Sequence, residues 1–151
     1  MNNSLIISLF FLIVGCPKLI DEPSLIEKNG VMYLPLSDKP YSGDVSKLDN
    51  FGKTLLKGTY KNGKKDGLWT WWYENGQKES EGTYKDDKLE GLSTNWYENG
   101  QKWYELTNKD GEFDGLYTNW YENGKKRFEG TYKDGELISE KYWNEDGSVK
   151  E

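Results

Sequence analysis

Histidine is absent from this 151-residue chain, and cysteine occurs once, as Cys16. Without histidine the chain lacks the commonest general base and metal ligand of proteins. A single cysteine excludes an internal disulfide and any zinc site built from several thiolates. We therefore expect no metal site, no cofactor and no catalytic centre, and we predict that the protein is not an enzyme.

Positive charge and aliphatic side chains are also scarce. The chain has 20 Lys and Arg against 26 Asp and Glu, which gives a formal net charge of −6. A nucleic-acid surface needs clustered Lys and Arg, so no nucleic-acid partner is expected. Hydrophobic residues make up only 34% of the chain, too few for a large closed core. The 7 Trp, 11 Tyr and 17 Gly instead favour a thin architecture in which flat rings supply the buried surface.

An uncharged apolar run at residues 5–14 precedes Gly15 and Cys16. The run is too short to span a bilayer, which needs about 20 apolar residues, but it has the length of the hydrophobic region of a signal peptide. Residues 13–16 resemble a bacterial lipobox, in which the peptide is cleaved before the cysteine and the cysteine is acylated. This resemblance implies that residues 1–15 are a lipoprotein signal peptide and that Cys16 carries a lipid anchor. The alternative is an ordinary secretory signal followed by an incidental cysteine.

Prolines are confined to the segment after the cysteine, and all 4 of them fall within residues 17–42. Because proline lacks a backbone donor and disfavours regular structure, residues 16–42 are predicted to be a lipidated N-terminus and a spacer. Residues 31–34 are an exception, since they could form a short strand. Pro17 stands where an aspartate would resemble an inner-membrane retention signal. The predicted location is therefore the cell envelope, with the outer membrane or cell surface preferred over the inner membrane.

From residue 43 onward the sequence repeats with a period of 24 residues, marked by Gly43, Gly67, Gly91 and Gly115. Self-similarity at a fixed period is typical of stacked repeat arrays, whose end units are atypical because their outer faces meet water. The first unit is degenerate and the last is partial. The units are 43–66, 67–90, 91–114, 115–138 and the partial unit 139–151.

Each unit contains two turn signals. One is Glu-Asn-Gly, as at 74–76, and the other is Lys followed by Asn-Gly, Asp-Gly or a close variant, as at 109–111. Asn-Gly and Asp-Gly between alternating segments are the strongest short-range signals for a β-hairpin. The sequence therefore predicts an all-β fold over residues 43–151, a single-layer antiparallel meander of 24-residue β-hairpin repeats.

The loop at 74–76 decides which side chains share a face of the sheet. A three-residue loop pairs Tyr73 with Gln77, whereas a two-residue loop shifts the pairing by one residue and moves every side chain to the other face. We prefer the three-residue loop because it gathers Leu68, Trp72 and Tyr84 on one framework face. Recurrent glycines would then leave room for a framework indole against the neighbouring strand. These glycines are Gly58, Gly82 and Gly130.

The opposite face is predicted to be exposed and aromatic, which suits sugar stacking or the anchoring of a protein partner. Its residues are the candidate ligand-binding set, although cross-strand pairing that stabilises the sheet is the alternative role for them. The set comprises Trp69, Trp71, Tyr73, Tyr97, Trp103, Tyr117 and Tyr121. Trp69 and Trp71 are replaced by other residues in later units, and varying positions are where a repeat array would place specificity.

The run Gly-Thr-Tyr-Lys-Asp-Gly at 130–135 resembles MORN repeats. The fuller form, with Trp-Tyr-Glu-Asn-Gly-Gln-Lys at 72–78, looks like the bacterial MORN variant of proteins labelled as YwqK-family antitoxins. The resemblance covers residues 43–151. It implies a scaffold or binding surface and no catalyst, and it leaves the partner open.

Two functions fit these observations. The first is a membrane-anchored, non-catalytic lipoprotein that binds or scaffolds through its repeats, with a protein or a glycan as the partner. The second is an antitoxin or immunity protein that neutralises a cognate toxin. The family label favours the second function, whereas the export signal disfavours a cytosolic antitoxin.

Overall fold

The computed structural model describes residues 19–151, and nearly all of its regular structure is β-strand. The predicted signal peptide and Cys16 lie outside the described residues. A short 3-10 turn covers Glu22–Ser24. The strands are β1 (Ile20–Asp21), β2 (Ile26–Lys28), β3 (Val31–Tyr33), β4 (Gly43–Leu48), β5 (Thr54–Lys61), β6 (Lys64–Lys65), β7 (Gly67–Trp72), β8 (Lys78–Lys85), β9 (Lys88–Trp96), β10 (Lys102–Lys109), β11 (Glu112–Trp120), β12 (Lys126–Lys133) and β13 (Glu136–Tyr142).

Within residues 19–151 the strands build one 11-stranded sheet and a separate 2-stranded hairpin of β2 and β3. The large sheet runs in the order β1-β4-β5-β7-β8-β9-β10-β11-β12-β13, and β6 pairs with β5. β1 pairs with β4 in parallel, and every later neighbour is antiparallel. The predicted all-β meander of consecutive hairpins is confirmed.

Both kinds of turn form as the sequence predicts. At one end of the strands, Asp110 and Gly111 have φ of 54° and 87°, which are the two positive values of a type I′ hairpin turn. At the opposite end of the strands, the backbone N–H of Tyr73 donates to the carbonyl of Gln77 at 2.9 Å, and Gly76 has φ of 89°. The three-residue loop at 74–76 is therefore confirmed.

A β-bulge beside this loop changes which residues share a face. Trp72 pairs with Lys78, but Trp71 pairs with Ser80, so Glu79 is an extra residue in β8. The equivalent extra residues are Trp103 in β10 and Arg127 in β12. Each bulge moves the side chains that follow it to the opposite face.

The predicted framework face is consequently wrong. Tyr84 lies on the same face as Trp69 and Trp71, which we call the aromatic face, because cross-strand partners project from the same side. Leu68 and Trp72 lie on the other side, which we call the ladder face. The loop was predicted correctly, but the bulge at Glu79, three residues beyond the loop, was not.

Trp69 is the centre of the core and is 0% exposed. The ring of Tyr60 meets it edge-on with 4.9 Å between centroids, and its indole N–H donates to the carbonyl of Thr59 at 3.1 Å. Val45 and Leu56 complete the apolar surroundings. Burial of such a ring is worth about 3 kcal/mol, so the first hairpins hold the best-packed part of the sheet.

Gly58 makes room for an indole, as predicted for the recurrent glycines, but the indole is that of Trp69, which was predicted to lie on the other face. A Cβ placed there would lie 2.2 Å from the nearest carbon of the Trp69 indole, so only glycine lets the ring rest on the strand. At Gly82 and Gly130 the nearest atoms belong to Leu89 and Phe128 instead. The prediction of an indole at every such glycine therefore holds at Gly58 alone among these three.

Residues 19–42 do not run as a spacer but fold onto the first hairpin. Leu25 and Tyr41 are buried members of the core around Trp69. The backbone N–H of Met32 donates to the carbonyl of Gly63 at 2.9 Å, which joins β3 to the turn after β5. Prolines are compatible with this structure because Pro23 occupies the first turn of the 3-10 segment, where its missing donor is not needed.

Candidate functional site

A cleft opens on the aromatic face where β8 and β9 carry small side chains. Ser80 pairs with Asn95, and Gly82 pairs with Ser93. These two pairs form the floor, since none of the four side chains is large enough to fill the space above the strands. The cleft has a volume of about 320 Å³, at the lower end of the roughly 300 to 1,000 Å³ typical of small-molecule sites.

Aromatic rings form the walls on either side of this floor. Trp71 and Tyr84 stand on one side, with 6.3 Å between their ring centroids. Tyr104 and Phe113 stand on the other side. Trp71 is stacked on Trp69 at 5.7 Å, so this wall is held in place by the buried core.

One of the differences between repeat units that leave the cleft open lies at Ser93. Ser93 has Gly82 on one side and Leu106 on the other. Tyr117 is the residue 24 positions later, and it also lies between a glycine, Gly130, and Leu106. Its ring packs against Phe128 at 5.5 Å and so fills the space that stays open above Ser93.

The polar groups of the cleft floor are hydroxyl and amide groups. Asn108, next to the cleft, donates from its side-chain N–H to the Ser93 hydroxyl at 3.0 Å. Burial raises the pKa of Tyr84 and of Tyr104 above the ordinary value, so both wall phenols are neutral at physiological pH. The cleft therefore offers flat apolar walls and a neutral hydrogen-bonding floor.

Lys65 packs behind the Trp71 wall. Its ammonium lies 4.8 Å from the Trp69 ring centroid, 5.0 Å from that of Trp71 and 5.2 Å from that of Tyr84. Burial lowers the pKa of Lys65, although the carboxylates of Glu22 and Asp87 oppose the shift. The side chain acts as a cationic support for three rings.

The predicted ligand-binding residues have different environments in the structure: some are exposed or line the cleft, and others are buried. Trp71 lines the cleft, whereas Trp69 is fully buried and has no surface to offer. Trp103 is 41% exposed and lies beside Tyr97 and Tyr104, with 5.8 Å and 5.1 Å between ring centroids. The prediction that the whole set is exposed is wrong, because the aromatic face carries the core as well as the cleft.

Three of the predicted tyrosines connect successive hairpins. The hydroxyl of Tyr73 donates to the carbonyl of Trp96 at 2.7 Å, and the same bond recurs one and two units later. The later bonds run from Tyr97 to the Trp120 carbonyl and from Tyr121 to the Trp143 carbonyl. These contacts match the alternative role that the sequence left open, in which the aromatic residues stabilise the sheet.

Sequence reasoning missed the other wall and the floor. Tyr84 was placed on the framework face, so the cleft that it lines was not predicted. The substitution of Trp71 by Asn95 one unit later was the available signal, since it exchanges a large ring for a small amide at a repeat position.

The ladder face is regular from unit to unit. Three units place a lysine over the tryptophan of the next unit, as Lys78 over Trp96 with 5.6 Å from the ammonium to the ring centroid. The same lysine forms an ion pair with Glu81 on its own strand. The pattern repeats at Lys102 and Lys126.

Neither a metal centre nor a membrane-spanning helix is part of the described residues. In residues 19–151 there is no group of three or more acidic side chains placed to hold a metal ion. The same part of the chain contains no helix with the length and apolar character needed to cross a membrane.

Comparison with known families finds a repeat that matches three of the hairpins. The model of the family described as MORN repeat variant matches residues 65–86, 89–110 and 113–134. The three segments coincide with the hairpins β7–β8, β9–β10 and β11–β12. Curated proteins gave no match to the chain. The chain therefore carries three consecutive segments that match the MORN repeat variant, each of them one β-hairpin of the sheet.

Proposed function

We propose that the protein is a non-catalytic binding module, held at a bacterial cell envelope by a lipid on Cys16. The cleft between Trp71 and Tyr104 carries the binding half of this proposal, because it is a preformed concave site with aromatic walls on a rigid sheet. Neutral hydroxyl and amide groups on its floor suit recognition more than acid–base chemistry. MORN repeats, which support the same interpretation, make up the cleft.

The binding half is tested with the full-length protein in detergent micelles as bait for solubilised envelope fractions. The informative variant is Ser93→Tyr, which places in the cleft the residue that already occupies the same position one unit later. We expect a component that the unmodified protein retains and the variant releases. Equal retention by both proteins, or no retained component, would contradict a binding role for the cleft.

The anchoring half rests on the apolar run at 5–14 followed by Gly15 and Cys16. Cells that express the protein are labelled with radioactive palmitate and compared with cells that express Cys16→Ser. We expect label on the unmodified protein and none on the variant. A variant that is still labelled would show that the lipid is attached elsewhere, and an unmodified protein without label would contradict the anchor.

A toxin-neutralising role is the second candidate, and the ladder face favours it. Leu68, Leu92 and Leu116 recur there every 24 residues and are 57%, 57% and 50% exposed. Such a row is suited to a protein partner. Toxicity of an adjacent gene product, relieved by this protein and no longer relieved by Leu92→Asp, would establish this role. An adjacent gene product without toxicity would exclude it.

A further inference from the structure

The lining of the cleft identifies a class of ligand. Trp71 and Tyr104 present rings from opposite sides, and Ser80 and Asn95 present a hydroxyl and an amide between them. We propose that the cleft binds a neutral saccharide. This inference rests on the proposed binding function and adds the chemistry of the ligand.

The aromatic walls and the polar floor of the cleft match the apolar faces and the hydroxyl rim of a sugar ring. The faces of a pyranose carry C–H groups that pack against aromatic rings, while its rim carries hydroxyl groups that donate and accept hydrogen bonds. Asn95 supplies both a donor and an acceptor, and the Ser80 hydroxyl can serve as either. An apolar ligand would leave these groups unpaired, which costs free energy.

The charges around the cleft favour a ligand without charge. Glu81 is the one charged residue that contributes to the lining, and its carboxylate is bound by Lys78 and by the hydroxyl of Thr70 on the ladder face. Lys65 is held against the rings behind the wall and does not line the cleft. A phosphate or carboxylate on the ligand would therefore meet no free cation there.

The volume fits a small number of sugar rings. About 320 Å³ is enough for a ligand of one or two rings, given that small-molecule sites start at roughly 300 Å³. Tyr117 blocks the equivalent space one unit later, so the site is confined to the floor of β8 and β9. We expect recognition of a short stretch within a glycan.

The test uses full-length protein in a detergent without a sugar headgroup. Neutral oligosaccharides of glucose, mannose and N-acetylglucosamine are titrated in, with a sialylated oligosaccharide as the charged comparison. Calorimetry and tryptophan fluorescence, to which Trp71 in the cleft wall contributes, report binding. We expect at least one neutral oligosaccharide to bind and the charged one to bind at least about tenfold more weakly.

Two variants locate the site. Ser93→Tyr is expected to weaken binding at least about tenfold, because the new ring occupies the space of the sugar. Ser139→Tyr is the matched control, because it makes the same exchange on the exposed strand β13 outside the cleft, and it should leave affinity within about twofold. Thermal unfolding verifies that each variant is folded. If Ser93→Tyr does not fold, Asn95→Ala replaces it.

The remaining outcomes separate this inference from the proposed function. Failure of every neutral oligosaccharide at roughly 10 mM would overturn the saccharide assignment. A retained envelope component that is still lost in Ser93→Tyr would in that case leave the binding function intact. Sugar binding that is unchanged in Ser93→Tyr would overturn the assignment to this cleft. Tighter binding of the sialylated oligosaccharide would overturn the neutral character of the ligand.

Discussion

Gly58 shows what a missing side chain contributes to this sheet. Replacement by alanine would place a Cβ 2.2 to 2.5 Å from three atoms of the Trp69 indole, which is buried and cannot move aside. We predict that Gly58→Ala lowers the free energy of unfolding by about 3 kcal/mol, as expected for overpacking in a core. Chemical denaturation followed by tryptophan fluorescence measures the loss.

Gly82 provides the matched control, because it lies at the same repeat position 24 residues later. There the nearest atom to an added Cβ is a methyl group of Leu89 at 2.8 Å, at the far end of a flexible side chain. Gly82→Ala should cost less than about 1 kcal/mol. Equal losses in the two variants would contradict the role assigned to the Trp69 contact.

Tyrosine hydroxyl groups make the stability of the fold depend on pH. Burial raises the pKa of Tyr84 and Tyr104, and it raises that of Tyr60 further with the help of the Glu22 carboxylate. In the unfolded chain these phenols have the ordinary pKa of 10.0. The stability that follows from the shift is fully present below pH 10 and is lost as the pH rises through the folded values.

We therefore predict that the melting temperature falls steeply above about pH 10 and is nearly constant between about pH 6 and pH 9, where no histidine titrates. Melting followed by circular dichroism, with phenolate absorbance recorded in parallel, measures both changes. Tyrosines that ionise below pH 10 without unfolding would contradict this explanation.

At the scale of the hairpin, one of the hydrogen bonds between neighbouring units comes from a tyrosine hydroxyl and recurs three times. Tyr97→Phe removes a 2.8 Å bond to the Trp120 carbonyl and leaves the ring in place. We predict a loss of about 1 kcal/mol, typical of one hydrogen bond. Tyr73→Phe and Tyr121→Phe should cost similar amounts, because both make the same bond. Widely different losses in denaturation experiments would show that the units are not equivalent.

The hairpins and their turns were the part of the fold that the sequence predicted best. Asn-Gly and Asp-Gly turns have strong backbone preferences, so turn type and the three-residue loop at 74–76 were predictable. The bulge at Glu79 was not, because a charged residue beside a loop carries no comparable signal. One extra residue reversed the faces, and Tyr84 was therefore assigned away from the cleft that it lines.

Residues 19–42 were predicted to be a spacer because of their proline content, but they make tertiary contacts with the first hairpin. Leu25 and Tyr41 supply apolar surface that the open end of the first hairpin needs for its core. A proline count does not reveal such contacts, since prolines are tolerated in turns and at the ends of strands. Strand β3 was predicted correctly, but it pairs with β2.

Across the whole molecule, burial is uneven along the array. The core cluster contains residues of β4, β5 and β7, whereas every residue of β13 is exposed. Because neighbouring units stabilise one another in sequence along such arrays, local opening should begin where burial is lowest. We predict that amide exchange is slowest in β5 and β7 and fastest in β13. Uniform protection across the strands would indicate that the array unfolds only as a single unit.

The folding of residues 19–42 onto the sheet limits how far an anchored molecule can reach. If Cys16 is acylated as proposed, only two residues separate it from Leu19, a length of about 10 Å at full extension. The floor of the cleft lies four strand spacings from β1, which is roughly 19 Å. The cleft would then stay within about 30 Å of the membrane surface that holds the lipid. Only glycans that lie this close to the membrane could bind.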